Sequence, residues 1–178
     1  MKGTPVGTTG HANNQLTTIA PFAADHGIIR HLRHLRFAAA LRSANIETTI
    51  SARIEVDLWN KLAFLATLAA ACGMSRAPVG AVRTAPLGAL LLERCVREIV
   101  AVAEARGVPM GADAADRTLA GIAALPTEMR PSLLLDLERG GQTEIDVLSG
   151  AIARMGREHG IPTPVHDTAL AAIGRVTA

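Results

Sequence analysis

The chain has no tyrosine, one tryptophan and three phenylalanines in 178 residues. Strands draw heavily on aromatic side chains, so this scarcity argues against a β-sandwich. Cysteine is nearly absent too. Cys72 and Cys95 both fall inside apolar helical pattern, which excludes a disulfide framework and suits core thiols in a reducing cytoplasm. Neither sign of charge dominates: eighteen basic and sixteen acidic residues leave a net charge of +2, so nothing favours general nucleic-acid affinity. Residues 1–18 are polar and glycine-rich, unlike a signal peptide, and the longest uncharged apolar run, Leu62–Met74, is too short to span a membrane. The expected setting is the cytoplasm, with neither membrane nor nucleic acid as partner.

What is present is alanine, leucine, isoleucine and valine, in a chain 49% hydrophobic. That composition suits close-packed helices, and the length suits one domain with an appendage. The organising stretch is Ile54–Met74, IEVDLWNKLAFLATLAAACGM. Ile54, Leu58, Leu62, Leu65, Ala69 and Cys72 share one face at helical spacing, and beyond Leu62 the stretch is apolar nearly all round. A helix of that kind is surrounded by other elements, so it is expected to be the central rod, with Leu62–Cys72 buried. Lys61 is the last charge before the dry segment. Taken alone it reads as a lysine snorkelling from a helix end.

Around this rod the chain divides in order. Residues 1–29 carry short extended patches and Gly and Asn turn signals, consistent with one or two strands and no obvious sheet to join. Their glycines Gly3, Gly7 and Gly10 match neither the dinucleotide fingerprint nor the P-loop. Arg30–Ala44 predicts a helix with Ile29, Leu32, Leu35 and Ala39 inward and Asn45 as C-cap, and Ile46–Ile50 a short strand. Within that helix RHLRHLR could present a phosphate-binding face or even a regulator's histidines, but a solvated surface is the plainer reading. His26, His31 and His34 lack a carboxylate or cysteine to complete a metal site. Further helices are predicted from Thr84 or Ala85 with Pro86 to Arg106, inward at Leu87, Leu91, Cys95, Val96, Ile99 and Val102, and over Asp113–Leu125. Ser132 is placed to N-cap Leu133–Arg139, Thr143 with Asp146 to form a capping box for the helix ending at His159-Gly160, and Thr163-Pro164 to open a last helix to Val176.

Two motifs carry chemistry: LWNKL at 58–62, and PSLLLDLERGGQTEIDVLSGAI at 131–152 followed by HGIPTP at 159–164. Locally, Ser132 is a helix cap and Glu144 a first-turn acid, favoured there by the helix dipole and a natural partner for a lysine on a neighbouring helix. Together the motifs resemble the C-terminal domain of ketopantoate reductase (2-dehydropantoate 2-reductase). That family shows a W-x-K helix and a later Ser…Asp…T-E-I-D segment followed by G-I-x-x-P. The likeness covers about residues 46–176, and GTTGHA at 7–12 extends it weakly upstream.

The resemblance implies a mainly α, multi-helix bundle-like domain of the 6-phosphogluconate dehydrogenase C-terminal type, with a short irregular or β N-terminal arm. Residues 1–45 would be a remnant of the nucleotide-binding domain with its connecting helix, and 46–178 the helical domain. It also implies reduction of a 2-oxo acid with NADPH, in a homodimer, for which Ala69, Ala70 and Ala71 could offer close helix contacts. Lys61 would then be the general acid, Glu144 the group that holds the lysine and contacts substrate hydroxyls, Ser132 the partner of the substrate carboxylate or of a nearby polar group, and Asp136 its support. Lys61 is expected within hydrogen-bond or one-water reach of Glu144, with Ser132 facing the same cavity. Two features depart from the pattern. The family carries Asn one and two turns after the lysine, where this chain has Leu65 and Ala69. No G-x-G-x-x-G occurs in the 178 residues, so a truncated, split or misannotated enzyme is expected, inactive alone. The competing expectation is a non-catalytic helical dimerisation or ligand-binding module.

Overall fold

The computed structural model describes residues 17–19 and 27–174, with side chains from residue 34 onward. It divides into two compact units, residues 1–54 and residues 55–178. The stretch 3–16 with its glycines, His26, and the side chains of Arg30, His31 and Arg33 lie outside the described residues.

In the first unit, strand β1 (Thr17–Ile19), helix α1 (Gly27–Ser43) and strand β2 (Thr48–Ile50) follow in order. The strands pair in parallel, Thr17 opposite Thr48 and Ile19 opposite Ile50. Thus the N-terminal strand does find a partner, supplied by this chain after a helical crossover, as parallel pairing requires. Asn45 ends α1 in the left-handed region (φ 59°). Ile46 N–H then bonds Leu41 C=O at 2.9 Å and Asn45 N–H bonds Arg42 C=O at 3.0 Å, the paired bonds of a Schellman cap. Arg42 continues the join by donating to Thr48 C=O at 3.1 and 2.8 Å. Leu35 and Ala39, expected inward, are exposed; the buried face passes through Ala38.

The second unit is helical: α2 (Ile54–Ser75), α3 (Val79–Thr84), α4 (Gly88–Ala105), α5 (Ala114–Ala123), α6 (Ser132–Glu138), α7 (Ser149–His159) and α8 (Pro164–Ile173). With α1 that makes eight helices among the described residues, a mainly α protein with a short strand arm. α2 contributes to all four apolar clusters, through Val56, Ala63 with Ala66, Ala69 with Ala70, and Leu68 with Ala71 and Cys72. α4 does the same through Ala103, Ile99 with Val102, Cys95, and Leu92 with Val96. The core is therefore built on two rods.

Along α2 the helical period is right but its early face is reversed. Leu58 is 57% exposed and Leu65 43% exposed, while Val56, Ala63 and Ala66 are buried. Alanines let backbones approach closely, so the packed side follows them and the leucines turn outward. Ala69, Ala70 and Ala71 are themselves buried within this chain, so they are not the free contact surface expected for a partner. The second predicted long helix forms, but starts later than expected. Pro86 has no N–H to continue the ladder, Leu87 is left-handed (φ 62°), and α4 starts only at Gly88. Leu87, expected inward, is 75% exposed. A Cβ on Gly88 would lie 1.7 Å from the Val82 carbonyl oxygen, which is why glycine stands at this join.

Two polar groups, half-buried Glu98 and buried His166, tie α4 to the C-terminal helices. The Glu98 carboxylate accepts the Val165 N–H at 2.9 Å and the His166 N–H at 3.1 Å, satisfying the first turn of α8 from across the fold. Burial raises the Glu98 pKa, and these two bonds oppose the rise. The His166 ring is fully buried. Its Nε2 lies 3.1 Å from the Cys95 carbonyl and its Nδ1 3.0 Å from Ser149 Oγ. A carbonyl only accepts, so Nε2 carries the proton and Nδ1 accepts from Ser149. Burial holds the imidazole below its usual pKa, and it is neutral. Cys72 and Cys95 are free and buried. Burial pushes their thiols up to about 11 and about 12, which leaves them unreactive at neutral pH.

Candidate functional site

The third and fourth turns of α2 turn Phe64, Leu65, Leu68 and Ala69 toward a cavity of about 150 Å³. Opposite stand Ser132, Leu133 and Asp136 of α6, with Met129 and Pro131 before it and Glu144 and Leu148 after it. The chain returns to the cavity because α6 stops after seven residues. Gly140 takes a left-handed φ of 67°, and Gly141 N–H closes on the Asp136 carbonyl at 2.8 Å. Only glycine adopts that geometry freely. An ion pair between Arg130 and Glu138 brackets the helix.

Two expected caps are absent, and both absences bear on the site. Pro131, not Ser132, is the N-cap of α6, and Ser132 is its first helical residue with no capping bond. Pro131 is favoured at this boundary because its fixed φ suits the helix start and it has no N–H to leave unpaired. The Thr143–Asp146 capping box does not form, for α7 begins at Ser149 with Leu148 as N-cap. Ile145 is fully buried and draws the segment into the core. The turn there is wider than a helical one, with Gly150 N–H bonding the Ile145 carbonyl at 3.0 Å. Glu144 therefore lies on a turn before α7, not in the helix's first turn.

The side chains of Ser132, Asp136 and Glu144 make no hydrogen bond or ion pair with any described residue. The cavity thus has one polar wall, with a hydroxyl donor and two carboxylate acceptors free, and one apolar wall from α2. Lys61 is exposed, one turn before Leu65, and is not among the lining residues. Among the described residues it forms no ion pair within 4.0 Å. Ser132, Asp136 and Glu144, close in sequence, share the cavity, and Leu65 one turn after Lys61 lines it from α2; Lys61 itself is not brought to it. No group of three or more His, Cys, Asp and Glu able to hold a metal occurs among the described residues, and no described helix is long and apolar enough to cross a membrane.

Residues 53–177 match the family model for the ketopantoate reductase PanE/ApbA C terminal. The chain belongs to the ketopantoate reductase family. Similar curated proteins include the 2-dehydropantoate 2-reductase of Halobacterium salinarum, 32% identical over 165 residues that cover 93% of this chain and 53% of that protein. That of Caulobacter vibrioides is 31% identical over 137 residues, 77% of this chain and 47% of its own. The chain spans about half the length of the curated relatives it matches. Among solved structures, a PanE/ApbA family ketopantoate reductase from Ralstonia eutropha superposes with a TM-score of 0.77 at 26% identity, covering 92% of this chain and 51% of that one. A dimeric ketopantoate reductase from Staphylococcus aureus gives 0.74 at 23% identity, over 79% and 49% of the two chains; that likeness bears on the fold alone.

One signal for Lys61 was available in composition and carries weight only beside the cavity. Of eighteen basic residues, only Lys2 and Lys61 are lysines. Arginine cannot give up a proton in a protein, whereas lysine can.

Proposed function

We propose that this chain supplies the substrate cavity and the proton-donating lysine of an NADPH-dependent 2-oxo acid reductase of the ketopantoate reductase type. The observation that carries the reading is the convergence of unpartnered Ser132, Asp136 and Glu144 on one small cavity, one helical turn from Lys61. Ser132 Oγ–H donates to the substrate carboxylate. Lys61 Nζ approaches from the mouth, stabilises the oxygen of the 2-oxo group as it gains charge and gives it a proton. Glu144 accepts from the lysine, and Asp136, one turn along α6, supports Ser132. Residues 1–45 form the close of a nucleotide-binding domain with its connecting helix, and 46–178 the substrate domain. NADPH, where bound, supplies the hydride. The 178 residues hold no G-x-G-x-x-G and do not fit that cofactor, so their part in the chemistry lies at the substrate. A homodimer is part of this reading and rests on membership of the family. A second reading, favoured by the absence of Lys61 from the lining, is a non-catalytic ligand-binding or dimerisation module.

With only two lysines, the Lys61 side-chain resonance is directly assignable against Lys2. Titrating the chain with ketopantoate and an aliphatic 2-oxo acid should move the Lys61 and Leu65 signals together and leave Lys2 unmoved; Glu144→Gln should weaken the Lys61 response. Leu65 shifts without Lys61 shifts would favour the module. No response at either residue would sink both readings. The chain by itself is expected to show no NADPH binding by nucleotide fluorescence, and a micromolar dissociation constant would overturn the assignment of the chemistry to the substrate end.

A further inference from the structure

We infer that the cavity selects 2-oxo acids with an unfunctionalised hydrocarbon tail, and that Leu65 with Ala69 is the element that rejects a hydroxylated tail. This rests on the reading of the cavity as a 2-oxo acid site.

The walls of the cavity hold few donors and acceptors. Eleven residues line the cavity, and only Ser132, Asp136 and Glu144 carry polar side chains. All three lie on the α6 side or just after it, and the α2 wall of Phe64, Leu65, Leu68 and Ala69 offers no hydrogen-bonding side-chain atom. The backbone of α2 is committed to its own helical ladder over Ile54–Ser75. Ser132 is the one side-chain donor on the lining, and a 2-oxo acid's carboxylate needs it. The tail of a ligand anchored there runs toward α2. A hydroxyl on that tail leaves water for a surface that cannot pair with it, and an unpaired buried polar group is costly. A methyl in its place meets the carbon of Phe64, Leu65, Leu68 and Ala69.

Leu65 matters most because it is both a wall and a rim. It is 43% exposed, so part of its side chain faces solvent and part closes the cavity. Ala69, buried one turn deeper on the same face, leaves the room that the tail occupies.

The test compares two ligands that differ by one group. Ketopantoate ends its tail in CH₂OH, and 3,3-dimethyl-2-oxopentanoate ends it in CH₂CH₃, with a methyl where the hydroxyl stood. Calorimetry on the full chain should show the methyl ligand bound about tenfold to hundredfold more tightly, the range over which an apolar pocket rejects an added hydroxyl. Leu65→Asn should cut that ratio at least about fivefold. Leu65 is partly exposed on a helix, so the variant is expected to fold, which circular dichroism checks; Ala69→Ser is the second variant. Equal binding of the two ligands by the wild type, or tighter binding of ketopantoate, would overturn the inference and leave the 2-oxo acid reading standing. A wild-type preference that neither variant changes would overturn the role given to Leu65 and Ala69. Binding of neither ligand would remove the 2-oxo acid reading itself and the inference with it.

Discussion

Replacing His166 should weaken the fold twice over, once by volume and once by proton linkage. The ring is fully buried and joins three helices, through its own α8, Ser149 of α7 and the Cys95 carbonyl of α4. His166→Ala deletes a core ring, which for aromatic side chains costs about 3–5 kcal/mol. It also leaves Ser149 Oγ–H, itself fully buried, without its acceptor, at about 1–3 kcal/mol. Partial collapse of the site offsets some of this, so a net loss of about 4 kcal/mol is expected, much of a domain's usual margin. The linkage has a definite sign. The folded pKa of His166 is depressed below 6.5 by burial, so the unfolded chain binds a proton that the native one refuses. Stability from this group is complete above pH 6.5 and falls on acidification below it. Between pH 7.5 and 5.5 the loss approaches about 1.4 kcal/mol if the folded pKa lies well under that window. His166→Gln does not titrate and should lose that component. Glu98, whose pKa is raised, shifts stability in the opposite direction, but it is present in both proteins and cancels in the comparison. Urea unfolding followed by the single tryptophan, Trp59, reads both quantities. Identical pH dependence in wild type and His166→Gln, or a His166→Ala loss under about 1 kcal/mol, would refute the reasoning.

Two further outcomes follow from packing. Gly88→Ala puts a methyl group 1.7 Å from the Val82 carbonyl oxygen, so the α3–α4 join must shift. A cost of about 3 kcal/mol is expected, and a melting temperature within a degree of wild type would count against that geometry. Leu68→Ala, at a site 1% exposed, should cost about 2–5 kcal/mol, whereas Leu65→Ala, on the open side of α2, should cost less than about 1 kcal/mol. The reverse order in denaturant midpoints would mean that the buried face of α2 has been misassigned.

The local statements in the sequence were legible where chain chemistry decides them without a partner. The helical period of Ile54–Met74, the left-handed turn at Asn45, the stop at Gly140-Gly141 and the Thr163-Pro164 start are all set by backbone sterics within a few residues. The motif from Ser132 to Asp146 was equally visible, because spacing along the chain survives folding, and it carried the family. Tertiary structure decided what depends on which neighbour arrives. Leu58 and Leu65 face outward because the alanines of α2 permit closer packing on the other side. Thr143 caps nothing because burial of Ile145 delays α7 to Ser149. Glu98 and His166 gave no local signal, since their partners lie 17 to 71 residues away. The cavity belongs to the same class. Ser132, Asp136 and Glu144 could be named from the chain, but that they share a wall facing Leu65 and Ala69 follows only from α6 packing opposite α2.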